Sequence, residues 1–255
     1  MSAKPLAGRR ILVTRPREQA ERLATRIEEA GGEALRHPTV EVVPPEDLGA
    51  LSRALAALGQ CDLAIFVSPT AVEEGLRSVP AWPGHVGVAA VGPGTKAALA
   101  RRGFASVLAP ASGADSEALL AEPQLRELQG RRVLIFRGAG GRELLTERLA
   151  ARGAEVSDAV CYRRVKPQTD LAALAARWAR SGLDAVTVFS SGALENLFDL
   201  LPPAAHGLVA ATPVFASHAR IAERARRRGV REVLVCGPGD DDMLAGLLAY
   251  FGGRK

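Results

Sequence analysis

Sliding the chain of 255 residues against itself by about 122 positions brings its two halves into register, and this repeat constrains the fold more than any other feature. Arg9-Arg10-Ile11-Leu12-Val13 meets Arg131-Arg132-Val133-Leu134-Ile135. The match runs on through Arg15 and Arg137, Glu21 and Glu143, Leu23 and Leu145, Gly31 and Gly153. The same shift sets Asp62-Leu63-Ala64-Ile65-Phe66-Val67-Ser68 on Asp184-Ala185-Val186-Thr187-Val188-Phe189-Ser190. Near the ends the shift drifts to about 126, as Gly103 with Gly229 and Val107 with Val233 show, which a short loop insertion explains. A period this long marks a duplicated half, not a solenoid.

Within each copy, short apolar runs rich in Val, Ile and Phe are followed by a small or polar turn and then a segment of helical period. This is the βα alternation of a parallel sheet covered on both faces. Strands are predicted at Arg10–Val13, Glu33–Leu35, Leu63–Val67, Gly87–Val91, Ser106–Leu108, Val133–Phe136, Glu155–Ser157, Ala185–Phe189, Val214–Ala216 and Glu232–Val235. The stretch Gln19–Ala30 carries Leu23, Ile27 and Ala30 on one helical stripe and ends at Gly31-Gly32.

Two stretches break the alternation at equivalent places, residues 37–44 and 159–167. Each is extended and Pro-ended, and together they predict a pair of linker strands. The expected architecture is two doubly wound parallel-sheet α/β domains joined by a two-stranded tether. One is discontinuous, residues 1–36 with 168–255, and the other is inserted, residues 45–158.

Composition narrows the function classes. No apolar run approaches the roughly 18 residues of a membrane span, and the basic N-terminus leads straight into Ile11-Leu12-Val13 without an apolar leader, so a cytoplasmic protein is expected. Cys61, Cys161 and Cys236 lie far apart and read as small buried apolar residues. The formal charge is +5, and only four of the 33 basic residues are Lys. That dominance of Arg suits carboxylate or phosphate binding and equally follows from a GC-rich coding bias. The run Arg224 to Arg228 before Gly229 reads as cations at a helix C-terminus. Aromatics at 4% are too few for a base-stacking platform, so no nucleic acid partner is expected.

In open parallel sheets ligands sit outside the carboxyl ends of strands, where helix N-termini present free N–H groups. The turns expected there are Thr14-Arg15-Pro16, Ser68-Pro69-Thr70, Gly92-Pro93-Gly94-Thr95, Asp115-Ser116-Glu117, Arg137-Gly138-Ala139-Gly140-Gly141, Ser190-Ser191-Gly192 and Ser217-His218-Ala219-Arg220. Each can bind a ligand or merely cap its helix. Arg142 and Glu143 stand where a P-loop needs Lys and Ser or Thr, and the four histidines lack metal spacing. Nucleotide, metal and serine-hydrolase chemistry are not indicated, and no cofactor is expected.

Taken in order and spacing, several of these pieces resemble the uroporphyrinogen-III synthase family across nearly the whole chain. They are Leu12-Val13-Thr14-Arg15-Pro16, Phe66-Val67-Ser68-Pro69-Thr70-Ala71-Val72, Ala90-Val91-Gly92-Pro93-Gly94-Thr95, Asp115-Ser116-Glu117-Ala118-Leu119-Leu120, Val133-Leu134-Ile135-Phe136-Arg137-Gly138, and Tyr162-Arg163-Arg164 before Pro167. The resemblance implies two α/β domains with a two-stranded ladder and cofactor-free closure of hydroxymethylbilane, a linear tetrapyrrole with eight carboxylates. Water is lost and ring D is inverted. No membrane partner is expected, and a transient contact with the enzyme that forms the bilane is; two tethers without a large apolar interface predict a monomer whose lobes open and close on the ligand.

Departure of the hydroxyl leaves an azafulvene cation, which ring D attacks through its substituted carbon before a spiro intermediate re-closes. Because spontaneous closure gives the uninverted isomer, the enzyme's main task is to hold one folded pose. The resemblance makes Tyr162, facing an interdomain cleft, the candidate acid, with a packed aromatic as the bland reading. The turns at helix N-termini then supply the expected substrate-binding set: Thr14, Arg15, Ser68, Pro69, Gly92, Thr95, Ser116, Arg137, Gly138, Ser190, Ser191, Ser217, His218 and Arg220. Ser68 and Thr95 are expected to supply one neutral hydrogen bond each among many. The family often has Ser or Thr near His218, which either binds a carboxylate when protonated or caps its helix. The rival readings are a non-catalytic two-lobed small-molecule-binding module and a family member that has lost activity.

Overall fold

The computed structural model describes residues 4–113, 115–141 and 143–253. Chain contacts divide it into two compact units, residues 1–41 with 165–255 and residues 42–164.

The first unit contains β1 (Arg10–Val13), α1 (Arg17–Glu29) and β2 (Glu33–Arg36). The second contains β3 (Glu41–Val43), which straddles the boundary, α2 (Leu48–Ala56), β4 (Leu63–Phe66), α3 (Pro69–Arg77), β5 (Gly87–Ala90), α4 (Pro93–Arg101), α5 (Ser116–Leu120), β6 (Arg132–Gly138), α6 (Leu144–Ala150) and β7 (Glu155–Val165). The chain then returns to the first unit with α7 (Ala172–Ser181), β8 (Ala185–Val188), α8 (Ser191–Leu200), α9 (His206–Ala211), β9 (Val214–Ala216), α10 (Ala219–Arg227), β10 (Val233–Val235) and α11 (Asp240–Gly252).

The first sheet runs β10-β9-β8-β1-β2 and the second β3-β7-β6-β4-β5. Parallel pairing dominates both. Apolar clusters pack on both faces of each sheet, which is why strands such as Ala185–Val188 are buried at every position.

The repeat is visible in the hydrogen-bond register. Arg10 stands opposite Glu33 as Arg132 stands opposite Glu155, and Ile11 opposite Ala185 as Val133 opposite Leu63. Each unit is therefore built from both sequence copies. The first takes β1 and β2 from one and β8, β9 and β10 from the other; the second takes β3, β4 and β5 from the first copy and β6 and β7 from the second.

Asp184 accepts from the Arg10 N–H at 2.8 Å and from the Arg9 guanidinium at 2.9 Å. Asp62 accepts from the Arg132 N–H at 2.8 Å and from the Arg131 guanidinium at 3.0 Å. In both sheets one carboxylate thus ties the entry of its own strand to the neighbouring strand.

Three expectations need correction. Ser106–Leu108 forms no strand; only Leu108 bridges to Ala89, because Ala105 and Ser106 are exposed and offer no face to bury. The predicted strand Glu155–Ser157 and the linker strand 159–167 run together as one strand, β7, which ends at Val165. Its interruption at Asp158 is harmless, since that carboxylate accepts from Arg137 at 3.0 Å. The linker strand 37–44 shrinks to β3, because residues before it are bound to the first unit. There His37 N–H donates to Val13, Thr39 N–H to Thr14, and the Thr39 hydroxyl to Ala193 at 2.9 Å.

Burial accounts for two of the cysteines, Cys61 and Cys161, while Cys236 is half-buried. Burial pushes the Cys161 thiol up to about 12. The basic end of α10 is satisfied locally: Arg224 pairs with Glu195 at 2.6 Å, Arg227 with Glu223, and Arg228 covers the Phe198 ring. No helix among the described residues is long and apolar enough to cross a membrane.

Candidate functional site

The carboxyl end of the first sheet is tightly knitted. Thr14 is fully buried and donates its hydroxyl to the Thr187 carbonyl at 2.7 Å. Ser217 is likewise buried and donates to the Phe189 carbonyl at 3.2 Å. Their side chains serve the strand ends.

Arg15 is held on several sides. Its guanidinium lies 3.9 Å from the centre of the Phe189 ring, donates to Gln19 at 3.2 and 2.9 Å, and pairs with Asp240 at the start of α11. Pro16 is the N-cap of α1 and makes no side-chain cap bond.

Ser190 caps α8 by accepting from the Ala193 N–H at 3.1 Å, with Ser191 opening the helix. His218 occupies the N-cap position of α10 but makes no cap bond, so its capping alternative is set aside. His218 and Arg220 are exposed.

At the carboxyl end of the second sheet, Ser68 caps α3 by accepting from the Ala71 N–H at 3.1 Å, and Pro69 fills the first helical position. Gly92 opens α4 in extended conformation without a side-chain cap, Pro93 follows, and Thr95 is buried in the first turn. Asp115 caps α5 by accepting from the Ala118 N–H at 2.8 Å, which leaves Ser116 as a half-buried first-turn residue.

Arg137 is buried and pairs with Asp158 at 3.0 Å and Glu143 at 3.7 Å. The turn that follows wraps the guanidinium so closely that a Cβ on Gly141 would stand 2.8 Å from Nη2. Arg142 lies outside the described residues.

Tyr162 is 2% exposed, its ring packed in the core of the second unit. Its hydroxyl lies 3.1 Å from the Ser68 Oγ. A register shift between Arg137 and Gly138 sets Gly138 opposite Tyr162, and the absent side chain of Gly138 makes room for the ring. Arg164 adds a cation 5.0 Å from the ring centre.

The structure thus brings Ser68, Pro69, Gly138 and Tyr162 together. It commits Thr14, Ser217, Arg15 and Arg137 to partners in the protein. Asp158, Asp240 and Gln19, which hold the two arginines, were not singled out from the sequence. The one visible signal was the acidic run Asp240-Asp241-Asp242 at a helix start.

These features define a duplicated α/β protein whose helix N-termini gather at the carboxyl ends of two parallel-dominated sheets. A family model described as uroporphyrinogen-III synthase HemD matches residues 21–245. The uroporphyrinogen-III synthase of Escherichia coli is 36% identical over 240 residues, covering 92% of this chain and 97% of its own length. That of Synechococcus elongatus is 32% identical over 210 residues, covering 79% of this chain and 78% of its own length. The chain belongs to the uroporphyrinogen-III synthase family.

Solved structures agree on the fold. A mutant uroporphyrinogen III synthase from Thermus thermophilus matches with a TM-score of 0.63 at 19% identity, covering 97% of this chain and all of that one. The Helicobacter pylori uroporphyrinogen-III synthetase gives 0.61 at 15%, covering 95% and 99%.

Proposed function

We propose that this chain carries out the reaction of its family, closing hydroxymethylbilane with loss of water and inversion of ring D, and that Tyr162 supplies the proton for the departing hydroxyl. The observation that carries the reading is the Tyr162 hydroxyl 3.1 Å from Ser68 at the carboxyl end of the second sheet, in a chain of this family. A phenol in that place assists the first step by hydrogen bonding as charge develops on the leaving oxygen. The later steps ask for a held pose and exclusion of water.

Binding is distributed in this reading. The uncapped N-terminal turns at Gly92 and His218 and the exposed Arg220 offer N–H groups and cations to substrate carboxylates. Ser116, Ser190 and Ser191 add hydroxyls. Thr14, Ser217, Arg15 and Arg137 act from behind, fixing the strand ends on which the turns sit. The reaction runs in the cytoplasm beside the enzyme that forms the bilane, with the tetrapyrrole as the ligand.

The test is incubation of the purified protein with hydroxymethylbilane and separation of the two cyclic isomers. Predominance of the inverted isomer above the spontaneous background supports the reading. Background composition only, from folded protein, overturns it.

A further inference from the structure

The candidate acid is buried while its hydrogen-bond partner is not: Tyr162 is 2% exposed, and Ser68 is half-buried at the turn. The Ser68 oxygen already accepts from the Ala71 N–H at the positive end of α3. A serine hydroxyl has two acceptor positions and one proton. If the phenol donates into the second acceptor position, the Ser68 proton is left to point away from both partners.

The duplication supplies a comparison. Ser190, the counterpart of Ser68, makes the same cap at the same 3.1 Å, yet the shift of about 122 residues sets Val40 where the second copy has Tyr162. A serine that only caps a helix has no use for a phenol behind it. Among the described residues, Ser68 has a hydrogen bond to a phenol and Ser190 has none.

Resting on the reading of Tyr162 as the proton source, we propose that Ser68 is the group that meets the leaving hydroxyl and that Tyr162 acts through it. As the C–O bond of the hydroxymethyl group breaks, its electron pair goes to oxygen, and the pyrrole nitrogen lone pair fills the carbon to give the azafulvene cation. The leaving oxygen takes the Ser68 proton and departs as water. Ser68 takes the Tyr162 proton. The proton lost when the last pyrrole of the closed ring regains its aromaticity restores Tyr162, so the cycle balances without a co-reactant.

The experiment is a double-mutant cycle with S68A, Y162F and the pair, read as turnover to the inverted isomer, with S68T as the conservative variant. Turnover of S68A at least as low as that of Y162F, a double variant within about twofold of S68A, and retention of most activity by S68T support the relay. A double variant equal to Y162F with a milder S68A means that Tyr162 meets the substrate itself, and overturns it. So do single effects that simply multiply. Unchanged turnover in Y162F removes the reading of Tyr162 as proton source, and the relay with it.

Loss of the α3 cap is separated by D47A, which removes the equivalent bond that Asp47 accepts from the Ala50 N–H on α2, outside the turns discussed. It should lower the melting temperature by a similar 2–4 °C or so and leave turnover unchanged. If D47A reduces turnover as S68A does, the effect of S68A is one of folding and the relay falls.

Discussion

Gly138 faces the Tyr162 ring so closely that a Cβ there would stand 2.6 Å from Cζ and 3.0 Å from the hydroxyl oxygen. Glycine at this position is a packing requirement of the phenol. G138A should push the ring away from Ser68, lowering turnover toward that of Y162F and costing about 1–3 kcal/mol of stability through overpacking. Turnover and chemical denaturation of the purified variant check this. Wild-type values for both would mean the ring moves aside freely.

Thr95 tests whether binding is distributed. It is buried in the first turn of α4, so T95A should cost less than about tenfold in turnover, on the order of one neutral hydrogen bond to substrate among many, with a small rise in the uninverted isomer from spontaneous closure. Complete inactivity of a folded T95A protein would show one indispensable side chain where many are expected to share the work.

Arg137 should be structural in its energetics. Its side chain is 6% exposed and Asp158 is 27% exposed, so D158A takes a close partner from a buried cation and should destabilise the protein by about 1–3 kcal/mol, less than for a fully buried pair because water reaches the carboxylate. Equilibrium unfolding of D158A against wild type measures it. A change below about 0.5 kcal/mol would show that the remaining contacts, Glu143 among them, satisfy the guanidinium.

Much of this was legible in the sequence. The repeat stood out because register-setting residues recur in kind and spacing: Arg10 and Arg132, Glu33 and Glu155, Asp62 and Asp184. Strand positions followed, since doubly covered strands are uninterrupted apolar runs. What escaped were contacts that join distant positions. Nothing near Arg15 in the chain announces Asp240, and nothing near Ser68 announces a phenol 94 residues on. The strand expected at Ser106–Leu108 failed because Ser106 is exposed and Leu108 alone joins the sheet, through a single bridge to Ala89.

Asp62 predicts a pH dependence. The Arg132 backbone N–H, followed by the Arg131 guanidinium, holds its carboxyl below the ordinary carboxylate value. A carboxyl depressed in the folded state contributes stability that is present above its unfolded pKa, about 4, and is lost as pH falls through the lower folded value. D62N should therefore flatten the acid limb of a stability profile taken between about pH 2 and 6, and leave the slope above pH 6 unchanged. An identical acid limb in D62N and wild type would mean that other carboxyls set it.

The interleaving of the two sequence copies also fixes an order of assembly during synthesis. When residues 1–41 leave the ribosome, β1 and β2 have each other but lack β8, the strand that flanks β1 on its other side. The second sheet has all its strands once β7 has emerged, while β8, β9 and β10 are still to be made. The inserted unit is thus the first that can close, and the N-terminal segment must wait, with Leu12 uncovered on the face that α7 and α8 later pack against, for the far end of its own chain. Chaperone occupancy on nascent chains should accordingly persist past residue 165 and fall only as β8 and β9 appear.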